Sequence, residues 1–413
     1  MATPDAGPPS AIAPLLTPAG WDLLHRVGPW DENQVLTLSE SLRREGHPPE
    51  LVAAVLSQTR LRARAVGKFG EFARTMLFTP DGLEQATRLS VAARHAQRFV
   101  TADLRRVADL GCGIGADAMA LAALDREVTA VERDETTAAV ATVNLMPWPN
   151  VRVVQADATA VDLSAVDGVW LDPARRTGAA GGARRLFDPE SFSPPFSFVT
   201  SLAASGLPVG VKLGPGLAHE AIPEDAEAQW ISVDGGVAEV ALWFEVLRRP
   251  GVRRSAVVVS GGGAHPGSAE LTSPDPYRPG SFDGETGPVS RYLIEPDGAV
   301  IRAGLVTDLA RLIGAHQVNE QIAYLSADTH EPTPFARAWT VREVLPFHLK
   351  TLRAWVREHQ VGTLEIKKRG IAQTPEQVRR ELAPKGPGRA TLFLTRLGAT
   401  EKRVAIVADP VPH

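Results

Sequence analysis

Five residues constrain this chain more than any others: Gly111-Cys112-Gly113-Ile114-Gly115, within the stretch 106–132, RVADLGCGIGADAMALAALDREVTAVE. An apolar strand containing Val107 precedes them and ends on Asp109-Leu110. The run 116–124 follows, with the helix-forming residues Ala, Met and Leu and no proline, which predicts a helix. A second strand, 127–131, ends on Glu132. Strand, glycine turn, helix, strand is half of a nucleotide-binding βαβ unit, and it commits the region to a parallel sheet covered by helices. The glycines let the backbone approach a ligand at a helix N-terminus. An acidic residue about 20 positions on accepts hydrogen bonds from both hydroxyls of a ribose.

Two ligands compete for such a unit, beside a plain βα turn with none. The spacing Gly111-x-Gly113-x-x-Ala116 satisfies a relaxed dinucleotide fingerprint, which admits NAD. Asp109 argues for S-adenosylmethionine, because a carboxylate at the strand end suits an ammonium group and is badly placed beside a pyrophosphate. Gly115 completes D-x-G-x-G-x-G. On Asp109, Gly111, Gly113, Gly115 and Glu132 the chain resembles the class I S-adenosylmethionine-dependent methyltransferases.

The remaining strands extend the resemblance. Apolar runs at 151–155, 168–171 and 209–213 predict further strands. Runs at 229–233 and 238–246 flank Asp234-Gly235-Gly236, a hairpin signal. A parallel sheet closed by an antiparallel hairpin is the architecture of that family. The expected fold is therefore α/β, with a Rossmann-like seven-stranded methyltransferase sheet whose seventh strand is antiparallel. Asp157, at the end of 151–155, is where the resemblance implies a carboxylate for the adenine amino group; otherwise it caps the following turn.

At the end of 168–171 stands Asp172-Pro173-Ala174-Arg175. Amino-directed members of the family carry an Asp/Asn-Pro-Pro-aromatic tetrad at this corner. Its carboxylate or amide, with a backbone carbonyl, accepts the hydrogens of the target amine. Asp172 and Pro173 match; Ala174 replaces the second proline and Arg175 the aromatic. Asp172 is expected to receive an exocyclic NH2, and Arg175 to stack on a base by its guanidinium plane or hold a phosphate. Cys112 is the chain's one cysteine. It excludes an internal disulfide and a two-cysteine route to carbon methylation. No His/Cys cluster has metal-ligand spacing, so no metal is expected.

With 413 residues the chain exceeds one ordinary domain. The expected organisation is a disordered lead at 1–16, a helical domain at 17–100, the methyltransferase core at 101–248, a β-rich linking region at 249–334 and an α+β domain at 335–413. No apolar run reaches spanning length and the lead has no basic signal region, which points to a cytoplasmic protein away from membranes. The turn Phe78-Thr79-Pro80-Asp81-Gly82 is similar to one that helps close the cofactor pocket in trimethylguanosine synthase-like methyltransferases, which implies RNA guanine-N2 chemistry. Arg60, Arg62, Arg64, Lys68 and Arg74, near Phe69 and Phe72, form either a solvated helix face or a basic lip. Residues 291–301 predict a hairpin around Pro296-Asp297-Gly298, and the triglycine at 261–263 a flexible loop.

The last segment looks like the THUMP-like domain appended to some bacterial methyltransferases. Residues 340–403 hold 14 Lys/Arg and 6 Asp/Glu, a net of +8 in a chain of -4 overall. That asymmetry is the footprint of a phosphate-backbone partner, here RNA. The expected function is S-adenosylmethionine-dependent methylation of RNA at an exocyclic purine nitrogen. A non-catalytic RNA-binding protein and a small-molecule methyltransferase are the alternatives.

Overall fold

The computed structural model describes residues 11–175, 189–261, 267–278 and 282–412. The glycine-rich loop at 177–182, most of the triglycine at 261–263 and the side chain of Arg175 lie outside the described residues. The chain divides into two compact units, residues 1–212 with 243–248, and residues 213–242 with 249–413.

The first unit begins with helices α1 (Pro18–Arg26), α2 (Val35–Arg44), α3 (Pro49–Phe69), α4 (Pro80–Gln85) and α5 (Leu89–Thr101). Thr17 and Thr79 cap α1 and α4, each accepting an N–H three residues on, with proline in the first turn. Residues 11–16, expected to be loose, are packed: Leu15 is fully buried, and a Cβ on Gly20 would lie 2.0 Å from the Pro14 carbonyl oxygen. Then come β1 (Arg106–Leu110), α6 (Ala116–Ala123), β2 (Glu127–Glu132), α7 (Glu135–Leu145), β3 (Val151–Gln155) and β4 (Gly168–Leu171). A short ribbon pairs β5 (Ala174–Arg175) with β6 (Phe192–Ser193) before α8 (Phe196–Ala204) and β7 (Val209–Leu213). Strands β3, β2, β1, β4 and β7 pair in parallel. Every residue of β4 is buried, the continuous apolar run typical of an inner parallel strand.

The second unit contains β8 (Glu227–Val233), most of β9 (Gly236–Trp243), β10 (Arg254–Ser260), β11 (Gly267–Ser273) and β12 (Tyr292–Pro296). It continues with α9 (Gly298–Arg302), α10 (Val306–Leu312), β13 (His316–Asn319), β14 (Ile322–Ala327), β15 (Ala336–Pro346) and α11 (Leu349–Glu358). It closes with β16 (Val361–Lys368), α12 (Pro375–Leu382), β17 (Gly388–Leu397) and β18 (Lys402–Pro410).

The expected seven-stranded sheet has nine strands, in the order β11-β10-β8-β9-β7-β4-β1-β2-β3. The two extra strands come from the region read as a linker. β10 pairs in parallel with β8, and β11 pairs antiparallel with β10. The cause is edge protection: β8 is buried over nearly its whole length and cannot be left as an open edge, whereas β11 alternates polar residues toward solvent and can.

Two Asp-Gly pairs part company. Asp234 and Gly235 both have positive φ, 51° and 83°, and join β8 to β9 as the expected hairpin. Asp297-Gly298, also expected to turn a hairpin, starts a helix instead. Asp297 caps α9 by accepting from the Ala299 N–H at 2.7 Å. The partner strand of β12 comes from β14 and β15, far along the chain, so no local turn is needed.

The second sheet has seven strands, ordered β13-β14-β12-β15-β18-β17-β16. Alternate residues of β17 and β18 supply two cores. Leu392, Leu394, Ala405 and Val407 pack with Leu352 and Val378 from helices α11 and α12. Phe393, Val404 and Ile406 pack with Tyr324 and Trp339. The sheet curls, so that the Gly398 N–H donates to the Val318 carbonyl at 2.9 Å. Among the described residues no helix is long and apolar enough to cross a membrane.

In the first unit two buried side-chain amides stand in for a strand. Asn144 accepts from the Leu77 N–H at 2.7 Å and donates to the carbonyls of Leu77 and Ile114, both at 3.0 Å. Gln58 satisfies the Phe78 N–H and carbonyl in the same manner. Asn144→Ala strands three buried backbone groups, so the expected loss is about 2–4 kcal/mol in urea unfolding. A loss below about 0.5 kcal/mol would refute this role for the amide.

Candidate active site

The glycine turn stands at the end of β1. Gly111 has φ +86°, a region costly for any side chain, and a Cβ there would lie 2.8 Å from the Asp172 carbonyl oxygen. The turn and the Asp172 corner are therefore in backbone contact, which only glycine permits. Gly113, at φ +55°, has no atom within 4 Å of where its Cβ would be, so the space over it is open to a ligand. Gly115, the third positive-φ glycine, is the residue before α6.

Glu132 ends β2. It accepts from the Gly113 N–H at 3.2 Å on one oxygen and from the Asp134 N–H at 2.8 Å on the other. A carboxylate has about four acceptor positions, so two remain for a diol. Asp157 follows β3 and caps its own turn: Oδ1 accepts from the Thr159 N–H at 2.9 Å and its hydroxyl at 2.6 Å. Those bonds, hydroxyl first, hold its carboxyl below the usual range. Its Oδ2 lies 4.0 Å from Arg133. The cap thus occupies Oδ1 alone.

Asp109 is 1% exposed, and neither carboxylate oxygen has a hydrogen-bond partner of good geometry among the described residues. Burial drives its carboxyl well above the usual 3.8, the negative neighbours Asp117 and Asp172 add to this, and Lys212 with the Ala118 N–H offsets part of it. A buried acceptor left unpaired is costly unless something arrives to pair it. An incoming ammonium would do so. Orphaned Asp109, open Gly113 and the spare acceptors of Glu132 fit an amino-acid-bearing nucleoside such as S-adenosylmethionine.

Asp172 leaves β4 with its N–H bonded to the Leu110 carbonyl at 3.2 Å. Pro173 is buried behind it, and the backbone of Arg175 pairs with Phe192. Sequence reasoning missed Lys212. Its Nζ donates to Asp172 Oδ2 at 2.5 Å, to the Thr87 hydroxyl at 3.1 Å and to the Gln85 carbonyl at 3.3 Å. The signal was a lone lysine in an otherwise apolar strand, Val209–Leu213. Also missed was a buried pair behind it, His95 Nδ1 to Asp117 Oδ1 at 2.8 Å.

Other candidates settle into structural work. Cys112 is buried, and its thiol is pushed well up by burial, then by Asp109 and Glu132, so it stays protonated and unreactive. Lys68 donates to the carbonyls of Leu83, Glu84 and Ala86 at the end of α4, and burial, with help from Lys212 and Arg88, lowers it to about 8. Arg62 bonds the Met76 carbonyl, and burial brings it down to about 10. A Cβ on Gly82 would lie 2.5 Å from Ile114, so the 78–82 turn does pack on the glycine turn. Among the described residues no group of three His, Cys, Asp or Glu could hold a metal ion.

Comparisons bear on the site once its geometry is known. A family profile described as THUMP domain-like matches residues 336–410, and one for a domain of unknown function matches residues 9–65. Two uncharacterized S-adenosylmethionine-dependent methyltransferases, from Mycobacterium tuberculosis strains CDC 1551 and H37Rv, are each 33% identical over 359 residues, 84% of this chain and 93% of theirs. A putative methyltransferase from Porphyromonas gingivalis W83 shares the fold, with TM-score 0.70 at 20% identity over 93% of this chain and all of that one.

The raised Asp109 carboxyl makes ligand binding proton-linked. The free protein holds the acid protonated over the window above 3.8, and a bound ammonium requires it ionised. Affinity for the cationic cofactor is expected to rise with pH across that window, with up to about one proton released per site. Calorimetry in buffers of different ionisation enthalpy checks this, and buffer-independent heats count against it. The same shift means that the folded state binds the extra proton, so this group costs stability as pH rises past 3.8. Asp109→Asn is therefore expected to weaken cofactor binding at least about tenfold without lowering the melting temperature of the ligand-free protein at neutral pH.

Proposed function

The chain belongs to the S-adenosylmethionine-dependent methyltransferases, and we propose that it methylates RNA at an exocyclic purine nitrogen, guanine N2 included. The observation that carries the reaction type is the contact of Gly111 with Asp172. An amine held by the Asp172 carboxylate and carbonyl would stand beside the cofactor turn. The partner class is supported by the THUMP domain-like match and by the cations in it. Lys350, Arg357, Arg380, Lys385, Arg389 and Arg403 are all exposed, where phosphates can reach them.

In this reading Asp109 pairs with the ammonium of the cofactor's amino-acid end, and Gly111, Gly113 and Gly115 let the backbone close on it. Glu132 receives the ribose hydroxyls, and Asp157 the adenine amino group through its outer oxygen. S-adenosylmethionine, when bound, supplies a methyl group on a sulfonium that departs as a neutral thioether. Asp172 orients the amine so that its lone pair faces that methyl group, and it receives the one proton that nitrogen sheds as the N–C bond forms. Pro173 stiffens the corner, and Arg175 stacks on or neutralises the substrate. The catalysis is mostly positioning and electrostatics, because the electrophile already carries its charge.

The test is transfer of labelled methyl groups from the cofactor to RNA from cells lacking this gene. Label is expected in RNA, and nucleoside mass spectrometry identifies the modified base. Asp172→Ala should lower kcat about 100-fold or more with cofactor affinity nearly unchanged. RNA affinity should fall steeply with salt, as several phosphate contacts require. Label confined to small molecules, or salt-independent binding, would overturn the RNA assignment.

A further inference from the structure

We infer that Lys212 is a positioning residue for methyl transfer, holding the Asp172 carboxylate ionised and aimed while it is itself anchored, through Thr87, on the buried His95–Asp117 pair. The inference rests on Asp172 being the amine acceptor, as proposed above. Leu171 and Val211 are partners in the parallel β4–β7 register, so Asp172 and Lys212 leave adjacent strands side by side. Their side chains are only 29% and 13% exposed, which strengthens the pairing over that of a surface ion pair. Hydrogen bonds to Asp172, Thr87 and Gln85 pull the Lys212 ammonium in three directions and hold it in place.

Behind it the anchoring residues are buried. Thr87 is 5% exposed and also bonds Asp117. Burial alone would raise the Asp117 carboxyl, but the hydrogen bond and charge of His95, then Lys212 and Thr87, bring it below the usual range, so it stays ionised. The His95 ring stacks on Trp170 at 4.2 Å, and Trp170 lies 5.3 Å from Trp243. Such a plate cannot turn without opening the core.

Charge explains why a lysine is needed. Asp109, Asp117 and Asp172 repel one another, and in such a group one carboxyl tends to take a proton. Lys212 is bonded to Asp172, whereas neither oxygen of Asp109 accepts a hydrogen bond of good geometry among the described residues. The proton therefore falls on Asp109 until the cofactor arrives, and Asp172 keeps the charge with which it accepts an amine.

Full-length protein, labelled cofactor and RNA from cells lacking this gene test the inference. Lys212→Met should lower kcat at least about tenfold while cofactor Kd stays within about threefold, and Lys212→Arg should restore much of the rate. In the Asp172→Asn background, Lys212→Met should cost less than about twofold more, because it acts through a group already neutral. Unchanged kcat in Lys212→Met, or losses that simply multiply in the double variant, would overturn it. A second arm needs no RNA: carboxyl 13C spectra of the ligand-free protein should show Asp172 titrating at higher pH in Lys212→Met than in wild type. An unmoved midpoint overturns the role of Lys212 whatever the acceptor is, whereas a moved midpoint with no label in RNA supports Lys212 and condemns only the RNA reading.

Discussion

The contact between Gly111 and the carbonyl of Asp172 is the constraint on which the site depends. Two strands of a parallel sheet end at the same pole, and their exits touch because one of them has no side chain. Three features meet at that pole: the open space over Gly113, the acceptor atoms of Asp172, and the buried carboxylate of Asp109 two residues before Gly111 on β1. A methyl group at this point in a residue as small as alanine would separate the glycine turn from the Asp172 corner.

The helical segment ahead of the sheet is fastened to that turn by polar atoms. Asn144 and Gln58 complete the hydrogen bonding of Leu77 and Phe78, residues that have no strand partner there. Asn144 also holds Ile114 of the glycine turn, and Gly82 lies against the Ile114 side chain. Buried amides of this kind specify one arrangement, because any slip leaves several backbone groups unpaired at about 1–3 kcal/mol each. The 78–82 turn is thereby held over the site.

Polar groups within the first unit follow two opposite patterns. Lys212, Thr87, Asp117 and His95 are joined by successive hydrogen bonds. Asp109 has no hydrogen bond of good geometry among the described residues, and Asp117 and Asp172 raise the cost of its charge more than Lys212 and the Ala118 N–H offset it. A cationic ligand that paired with this buried acid would return the stability that its burial costs.

Local signals settled what local chemistry decides. The three glycines and the Asp234-Gly235 hairpin were legible because backbone conformation depends on a few adjacent residues. The strand ends carrying Asp109, Glu132, Asp157 and Asp172 were legible for the same reason. Asp297-Gly298 was not, since the same dipeptide serves a hairpin or a helix cap and the choice belongs to β12's distant partners. Nor were β10 and β11 legible as members of the first sheet, because an apolar run does not say which edge it will cover. Lys212 and Asp172 lie 40 residues apart, and His95 and Asp117 lie 22 apart. Sequence alone determined the turn and the kind of ligand it admits; only the parallel register, which sets far-apart strand ends side by side, decided which charges meet there.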